Sequence, residues 1–156
     1  YKKGLILVAG DLSLFDNIIK PLSNMQKDLI NKSNLHSSDI GQATSYLVPA
    51  LDNALPYQIT GSKENTNNKV VIRLSSHPVI CELTKLLKSP IVSTSANLSN
   101  NPPCESESEI KDVFKDLLDA IILKSDESNK NGIDNSCWGY KPSKIIDVIS
   151  GNILRD

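Results

Sequence analysis

This chain of 156 residues has few aromatic side chains, no long apolar run and no excess of either charge. Aromatic residues make up 4% of it, too few for a surface on which bases stack between basic residues. No apolar stretch approaches the roughly 20 residues that a membrane-spanning helix needs. The 17 basic and 18 acidic residues leave a net charge of -1. This balance argues against binding nucleic acid mainly through surplus Lys and Arg, and no membrane partner is expected.

The three cysteines are odd in number and far apart in sequence, at Cys81, Cys104 and Cys137. Their spacing matches neither a disulfide framework nor the close pairs of metal and redox sites. We interpret them as reduced thiols and expect a cytoplasmic protein.

The common catalytic motifs are also missing. No Ser-His-Asp, HExxH, Walker A or GxGxxG spacing occurs. His36 lies in a polar segment and His77 at an expected helix start, and for both a structural role is favoured. Trp138 and Tyr140 are expected to pack a loop onto the core rather than to stack on a base.

The hydrophobic pattern predicts a mixed α/β protein with one core. A continuous apolar run over 4–9 predicts a buried strand, and apolar spacings of three and four predict a helix from Asp11 or Ser13 to Pro21. A second helical stretch is expected over 25–30, followed by a polar loop over 31–42.

The segment Lys69–Leu74 is the clearest strand, because its residues alternate in character. Val70 and Ile72 face one side, and the cations Lys69 and Arg73 face the other. A guanidinium on an interior strand needs an anionic partner. A protein carboxylate and a ligand are equally open as that partner.

A helix capped by Ser76 is expected to begin at His77-Pro78 and to lead into a strand over 90–94. Strand, helix and strand within about 25 residues predict a crossover with parallel pairing of the two strands. The polar turn with Ser95 and Asn97 would then lie near Arg73. An ordinary helix cap remains as good an interpretation of this turn as a phosphate or ribose site.

The remaining segments predict a helix after a capping box of Ser106 and Glu109, a strand over 120–124, and two short closing strands, SKIIDVI and NILRD.

Six segments follow one another along the chain: KGLILVAG, SYLVPA, ITG, KVVIRL followed by HP, PIVSTSANLS followed by PP, and YKPSKIIDVISGNILRD. Taken together, they resemble the YrdC-like family of threonylcarbamoyl-AMP synthases over 3–155. The resemblance implies a twisted mixed sheet with flanking helices and a large concave, positively lined cavity. It implies a nucleotidyltransferase that forms threonylcarbamoyl-AMP and pyrophosphate from L-threonine, bicarbonate and ATP. A partner complex would then transfer the threonylcarbamoyl group to tRNA.

The same resemblance implies the roles of particular residues. ATP or the adenylate would contact Lys3, Ser95, Asn97 and Arg155, and threonine would contact Arg73 and Ser143. Arg73 would clamp the threonine carboxylate with two parallel hydrogen bonds. Orientation and charge neutralisation would suffice without a catalytic nucleophile or a protein-held metal, and Mg²⁺ is expected as the companion of ATP.

We expect 1–156 to be a single YrdC-like domain that lacks its N-terminal strand and Lys-x-Arg segment, which should stand just upstream of Tyr1. Either that portion is omitted here, or the chain is a degenerate fragment that cannot complete the triphosphate site. The segment before the second shared strand also lacks the family's Trp-Pro-Gly-Pro pattern. Two alternatives stay open: a non-catalytic RNA-binding module of the same fold, and a carbamoyl-adenylate-forming domain of hydrogenase maturation. The cysteine pattern disfavours the latter, because those domains sit in longer chains with zinc-finger-like cysteines.

Overall fold

The computed structural model describes residues 5–35, 42–60, 68–104, 106–121 and 142–156. Within them it has six strands and four α-helices. The strands are β1 Ile6–Ala9, β2 Thr44–Pro49, β3 Lys69–Leu74, β4 Ile91–Ser93, β5 Lys144–Asp147 and β6 Ile153–Arg155. The helices are α1 Asn24–Leu35, α2 Tyr57–Thr60, α3 Pro78–Leu87 and α4 Glu107–Phe114, with 3₁₀ turns at Leu12–Phe15 and Lys115–Leu117.

The six strands form one mixed sheet in the order β4-β1-β3-β2-β5-β6. Strand β1 is parallel to β3, and β2 is parallel to β5. The other three pairs, β1 with β4, β2 with β3 and β5 with β6, are antiparallel. A mixed sheet with flanking helices confirms the predicted fold class.

The parallel pairing predicted for β3 and β4 is wrong. Strand β1 lies between them, and β4 runs antiparallel to β1. A helix between two strands does not fix their pairing when an earlier strand can take the position beside β3. Because Ser93 pairs with Ile6, β4 ends at the edge where β1 and β3 begin.

The helix predicted over 11–21 is a single 3₁₀ turn. Residues 16–18 form a further turn, after which Ile19 bridges to Ala50 and the Lys20 amide donates to the Pro49 carbonyl at 2.9 Å. These bonds to β2 replace the intrahelical bonds that the apolar spacing suggested.

Helix α1 extends through Leu35, so the polar loop predicted from residue 31 begins too early. Its start is a capping box, in which the Gln26 amide donates to Ser23 Oγ at 3.3 Å and the Ser23 amide donates to Gln26 Oε1 at 2.9 Å. The strand predicted over 120–124 is not formed at Ala120 or Ile121, and its remainder lies outside the described residues.

Helix α3 begins at Pro78 as predicted, but its cap is His77 rather than Ser76, because His77 Nδ1 accepts from the Val79 amide at 3.3 Å. The helix lies close to the end of β1. A Cβ added to Gly10 would meet the Cys81 Cα at 2.8 Å, and the Gly10 amide donates to Thr84 Oγ1 at 3.1 Å. This close approach requires glycine at position 10.

One face of the sheet is the hydrophobic core. Its buried strand residues are Leu7, Ala9, Tyr46, Val48, Val70, Ile72 and Leu74. Phe15, Ile30 of α1 and Ile59 of α2 belong to the same cluster, as do Ile19, Ala50 and Val148. No helix in the described ranges is long and apolar enough to cross a bilayer.

The chain divides into two compact units. The first, Tyr1–Ser93 with Ser136–Asp156, contains the sheet. The second, Thr94–Asn135, contains α4, whose Ser106 Oγ accepts from the Glu109 amide at 3.2 Å as the capping box predicts. No residue of α4 is fully buried, and its apolar residues Ile110 and Phe114 are half-buried.

Candidate functional site

The second face of the sheet carries polar and charged side chains, because each strand alternates between its two faces. The strand register places Ser45 beside Ile145, and Ile145 beside Arg155. In the antiparallel pair of β2 and β3, Tyr46 lies opposite Ile72. One residue further along the same register, Ser45 lies opposite Arg73. Arg73, Ser45 and Arg155 therefore lie at one level of the sheet, on the side away from the core.

Arg73 is half-buried on this face, and its described contacts include no carboxylate. Its guanidinium Nη2 donates to Ser93 Oγ at 3.1 Å. Burial lowers the pKa of Arg73, and the nearby Arg155 guanidinium lowers it further. Two guanidiniums close enough to repel each other favour the binding of an anion between or beside them.

Arg155 is held by two bonds to one residue. Its Nε donates to the Ser143 carbonyl at 2.8 Å and its Nη2 to Ser143 Oγ at 3.0 Å. Ser143 Oγ also accepts from Ser45 Oγ at 2.8 Å. Arg73 and Arg155, with their serine partners Ser93, Ser143 and Ser45, are called the arginine end of the polar face below.

The same face carries an ion pair nearer the start of β3. Lys69 Nζ donates to Asp147 Oδ2 at 2.7 Å, and Asp147 Oδ1 accepts from the amides of Ile149 and Ser150 at 2.9 and 3.2 Å. The hydrogen bond from Lys69 lowers the pKa of Asp147, and the two amides lower it further against the opposing effect of burial. Lys69 and Asp147 are called the paired end below. The bonds from the two amides to Asp147 close the turn between β5 and β6.

The turn with Ser95 and Asn97 belongs to the second unit, and its side chains bind each other. Ser95 Oγ donates to Asn97 Oδ1. The Asn97 amide group donates to the carbonyls of Leu98 and Asn101, at 3.1 and 2.8 Å. In this arrangement Asn97 holds its own loop together; Ser95 is exposed and Asn97 is half-buried.

The structure thus brings together three of the six residues expected at the site, Arg73, Ser143 and Arg155. Ser95 and Asn97 lie in the other unit, and Lys3 lies outside the described residues, as do His36, Cys137, Trp138 and Tyr140. Sequence reasoning missed Ser45 and Asp147. Strand alternation puts both residues on the polar face. Nothing in the sequence indicated their partners, which are Ser143, 98 residues from Ser45, and Lys69, 78 residues from Asp147.

A metal centre built from protein side chains is not found in the described ranges, where no three His, Cys, Asp or Glu residues are grouped suitably. The arginine end offers hydrogen-bond donors and positive charge, which suit anionic oxygens.

Comparison with known proteins gives a consistent result over the whole chain. A family model for Sua5, YciO and YrdC proteins, described as "Telomere recombination", matches residues 1–156. Two curated relatives are named threonylcarbamoyl-AMP synthase. The one from Buchnera aphidicola is 36% identical over 99% of this chain and 77% of its own length. The one from Stenotrophomonas maltophilia is 32% identical over 99% of this chain and 73% of its own length.

Solved structures share the fold. P. abyssi Sua5, in a crystal structure complexed with L-threonine, superposes with a TM-score of 0.58 at 20% identity over 73% of this chain. The chain spans 30% of that protein. The solution structure of MTH1692 from Methanobacterium thermoautotrophicum has a TM-score of 0.55 at 20% identity, covering 94% of this chain and 59% of that one.

Proposed function

The chain belongs to the Sua5/YciO/YrdC family, and from that membership we propose that it is a threonylcarbamoyl-AMP synthase. In this proposal it is a nucleotidyltransferase that uses L-threonine, bicarbonate and ATP and releases pyrophosphate. Its product would supply the threonylcarbamoyl group that a transferase complex attaches to tRNA in the cytoplasm.

The observation that carries the proposal is the arginine end. Burial, and then the charge of Arg155, lower the pKa of Arg73, and within the described ranges neither arginine forms an ion pair. A half-buried charge without a counter-ion is costly, so an anion that binds there removes a penalty that the free protein bears. The carboxylate of L-threonine fits the planar guanidinium of Arg73, which can donate two parallel hydrogen bonds.

The proposed chemistry needs orientation and charge stabilisation rather than a protein nucleophile. The amine of threonine attacks bicarbonate to give a carbamate with loss of water. A carbamate oxygen then attacks the α-phosphorus of ATP, and pyrophosphate leaves. Arg73 would fix the threonine, Ser143 would line the threonine site, and Arg155 would contact the nucleotide. Together these contacts would hold the reacting atoms in place.

For the nucleotide we propose Ser95, Asn97 and Lys3 in addition to Arg155. Ser95 is exposed and Asn97 is half-buried, so both are accessible to a ligand. Their mutual hydrogen bonds would have to be exchanged for bonds to ATP. Mg²⁺ would arrive with ATP, because it is usually held by substrate phosphates together with water.

The test is pyrophosphate release by the protein as its gene encodes it, with the adenylate product identified by mass spectrometry. Release that requires L-threonine, bicarbonate and ATP together is expected. Variants Ser95→Ala and Asn97→Ala combined should lose this release and remain folded, with a loss of about 1 to 2 kcal/mol in the free energy of unfolding, because the Asn97 bonds to two loop carbonyls are removed. Salt-dependent RNA binding without any pyrophosphate release would instead favour the RNA-binding module.

A further inference from the structure

Ser45 has a buried hydroxyl in the middle of the polar face, at the level of both arginines. Its exposed fraction is 0%. Its hydroxyl hydrogen-bonds to Ser143 Oγ at 2.8 Å. A buried hydroxyl keeps its place in a protein only when it is hydrogen-bonded, so the direction of this bond matters for both serines.

Ser143 Oγ accepts two hydrogen bonds. It accepts from Arg155 Nη2 at 3.0 Å, and a guanidinium can only donate. It also accepts from Ser45 Oγ. These two bonds occupy both lone pairs of Ser143, so the one hydrogen of its hydroxyl remains for a further acceptor. None of the described residues supplies that acceptor.

The alternative direction is less favourable. If Ser143 donated to Ser45, the unused hydrogen would lie on Ser45, which is 0% exposed, whereas Ser143 is 5% exposed. A hydrogen without an acceptor costs most where no ligand or water can reach it. Donation by Ser45 therefore leaves the unused hydrogen on Ser143, which also contacts Arg155.

We propose that Ser45 is a positioning residue that makes the hydroxyl of Ser143 a hydrogen-bond donor toward the ligand. The arginine end then presents only donors: two guanidiniums and one hydroxyl. Such a set selects a group with several anionic acceptor oxygens. The inference rests on the proposed function, because L-threonine supplies a carboxylate and ATP supplies phosphates of this kind.

The test compares Ser45→Thr with Ser45→Val in the protein as its gene encodes it. The two variants have the same shape, both suit a strand, and only threonine keeps the hydroxyl. L-threonine and ATP are titrated separately by calorimetry. For one of these two ligands, the affinity of Ser45→Thr is expected to lie within about twofold of wild type, whereas the affinity of Ser45→Val is expected to be about tenfold weaker.

Steady-state kinetics should show the same contrast. The KM of the affected ligand is expected to rise about tenfold in Ser45→Val, as the binding constant does, with kcat within about twofold, because the bond is made before and during the reaction. The ligand that responds identifies the source of the anionic oxygens, carboxylate or phosphate. A purely structural role would instead lower thermal stability without this split.

Equal affinities of the two variants for both ligands, with wild type still binding L-threonine, would overturn this inference and leave the proposed function standing. Failure of the wild-type protein to bind either L-threonine or ATP would overturn both.

Discussion

The polar face of the sheet carries charge in two places that differ in how the charge is balanced. At the paired end, Lys69 and Asp147 neutralise each other at 2.7 Å, and the carboxylate also accepts two turn amides. At the arginine end, Arg73 and Arg155 have the same sign and only hydroxyl or carbonyl partners in the described ranges. Because an unpaired charge away from water is costly, we propose that the paired end serves the fold and that the arginine end serves an anionic ligand.

This difference gives opposite expectations for substitutions at the two ends. A change at the paired end should lower stability and leave ligand affinity nearly intact. A change at the arginine end should lower affinity and leave stability nearly intact, because it removes a repelling charge.

The largest effect is expected for Arg73→Ala. It should weaken L-threonine binding by about 2 to 4 kcal/mol, since it removes the charged partner of a carboxylate. Calorimetric titration of L-threonine measures the loss, and Arg73→Lys is the control, because lysine keeps the charge without the planar pair of donors. Unchanged affinity in Arg73→Ala would show that the carboxylate binds elsewhere.

A somewhat smaller effect is expected for Asp147→Ala at the paired end. The variant leaves Lys69 without its partner and the amides of Ile149 and Ser150 without their acceptor. Because Lys69 retains some access to water, we expect a loss of about 2 to 3 kcal/mol in the free energy of unfolding. Denaturant unfolding measures it.

The L-threonine affinity of the folded Asp147→Ala protein should stay within about threefold of wild type, which corresponds to less than the effect of one hydrogen bond. A variant that kept its stability but lost its affinity would reverse the assignment of the two ends.

The smallest effect is a dependence of stability on pH at the paired end. Asp147 has a lowered pKa in the folded state, chiefly through the hydrogen bond from Lys69. A lowered carboxyl pKa stabilises the fold above the ordinary value of 3.8, and this stabilisation is lost as the pH falls through the lowered value. Wild type should therefore lose more stability than Asp147→Asn between neutral pH and acid, as followed by unfolding at several pH values. Parallel profiles of the two proteins would contradict this assignment.

The strands could be predicted from sequence where the pattern is local. Alternation located β3 to the residue and placed Arg73 away from the core. The pairing of β3 with β1 rather than β4 could not be predicted, because it depends on which strand, distant in sequence, takes the position beside β3. The helix expected after Gly10 failed for a similar reason, since backbone bonds to β2 outweigh the local apolar spacing.

The site was predictable in its residue types and not in its contacts. Arg73 was identified as a cation that needs a partner, and the family resemblance added Ser143 and Arg155. Their proximity arises from strand order, and Ser45 reaches Ser143 across 98 residues of sequence. No local pattern encodes such a pair.

The most direct test of the difference between the two ends is the shift in unfolding temperature that L-threonine causes in wild type, Lys69→Met and Arg73→Ala. A ligand that binds only the folded state stabilises it by about 2.7 kcal/mol at 100 times its dissociation constant. We expect a clear upward shift in wild type and in Lys69→Met, whose starting temperature is lower, and at most about a third of that shift in Arg73→Ala at the same concentration. A full shift in Arg73→Ala, or its loss in Lys69→Met, would contradict the assignment of ligand binding to the arginine end.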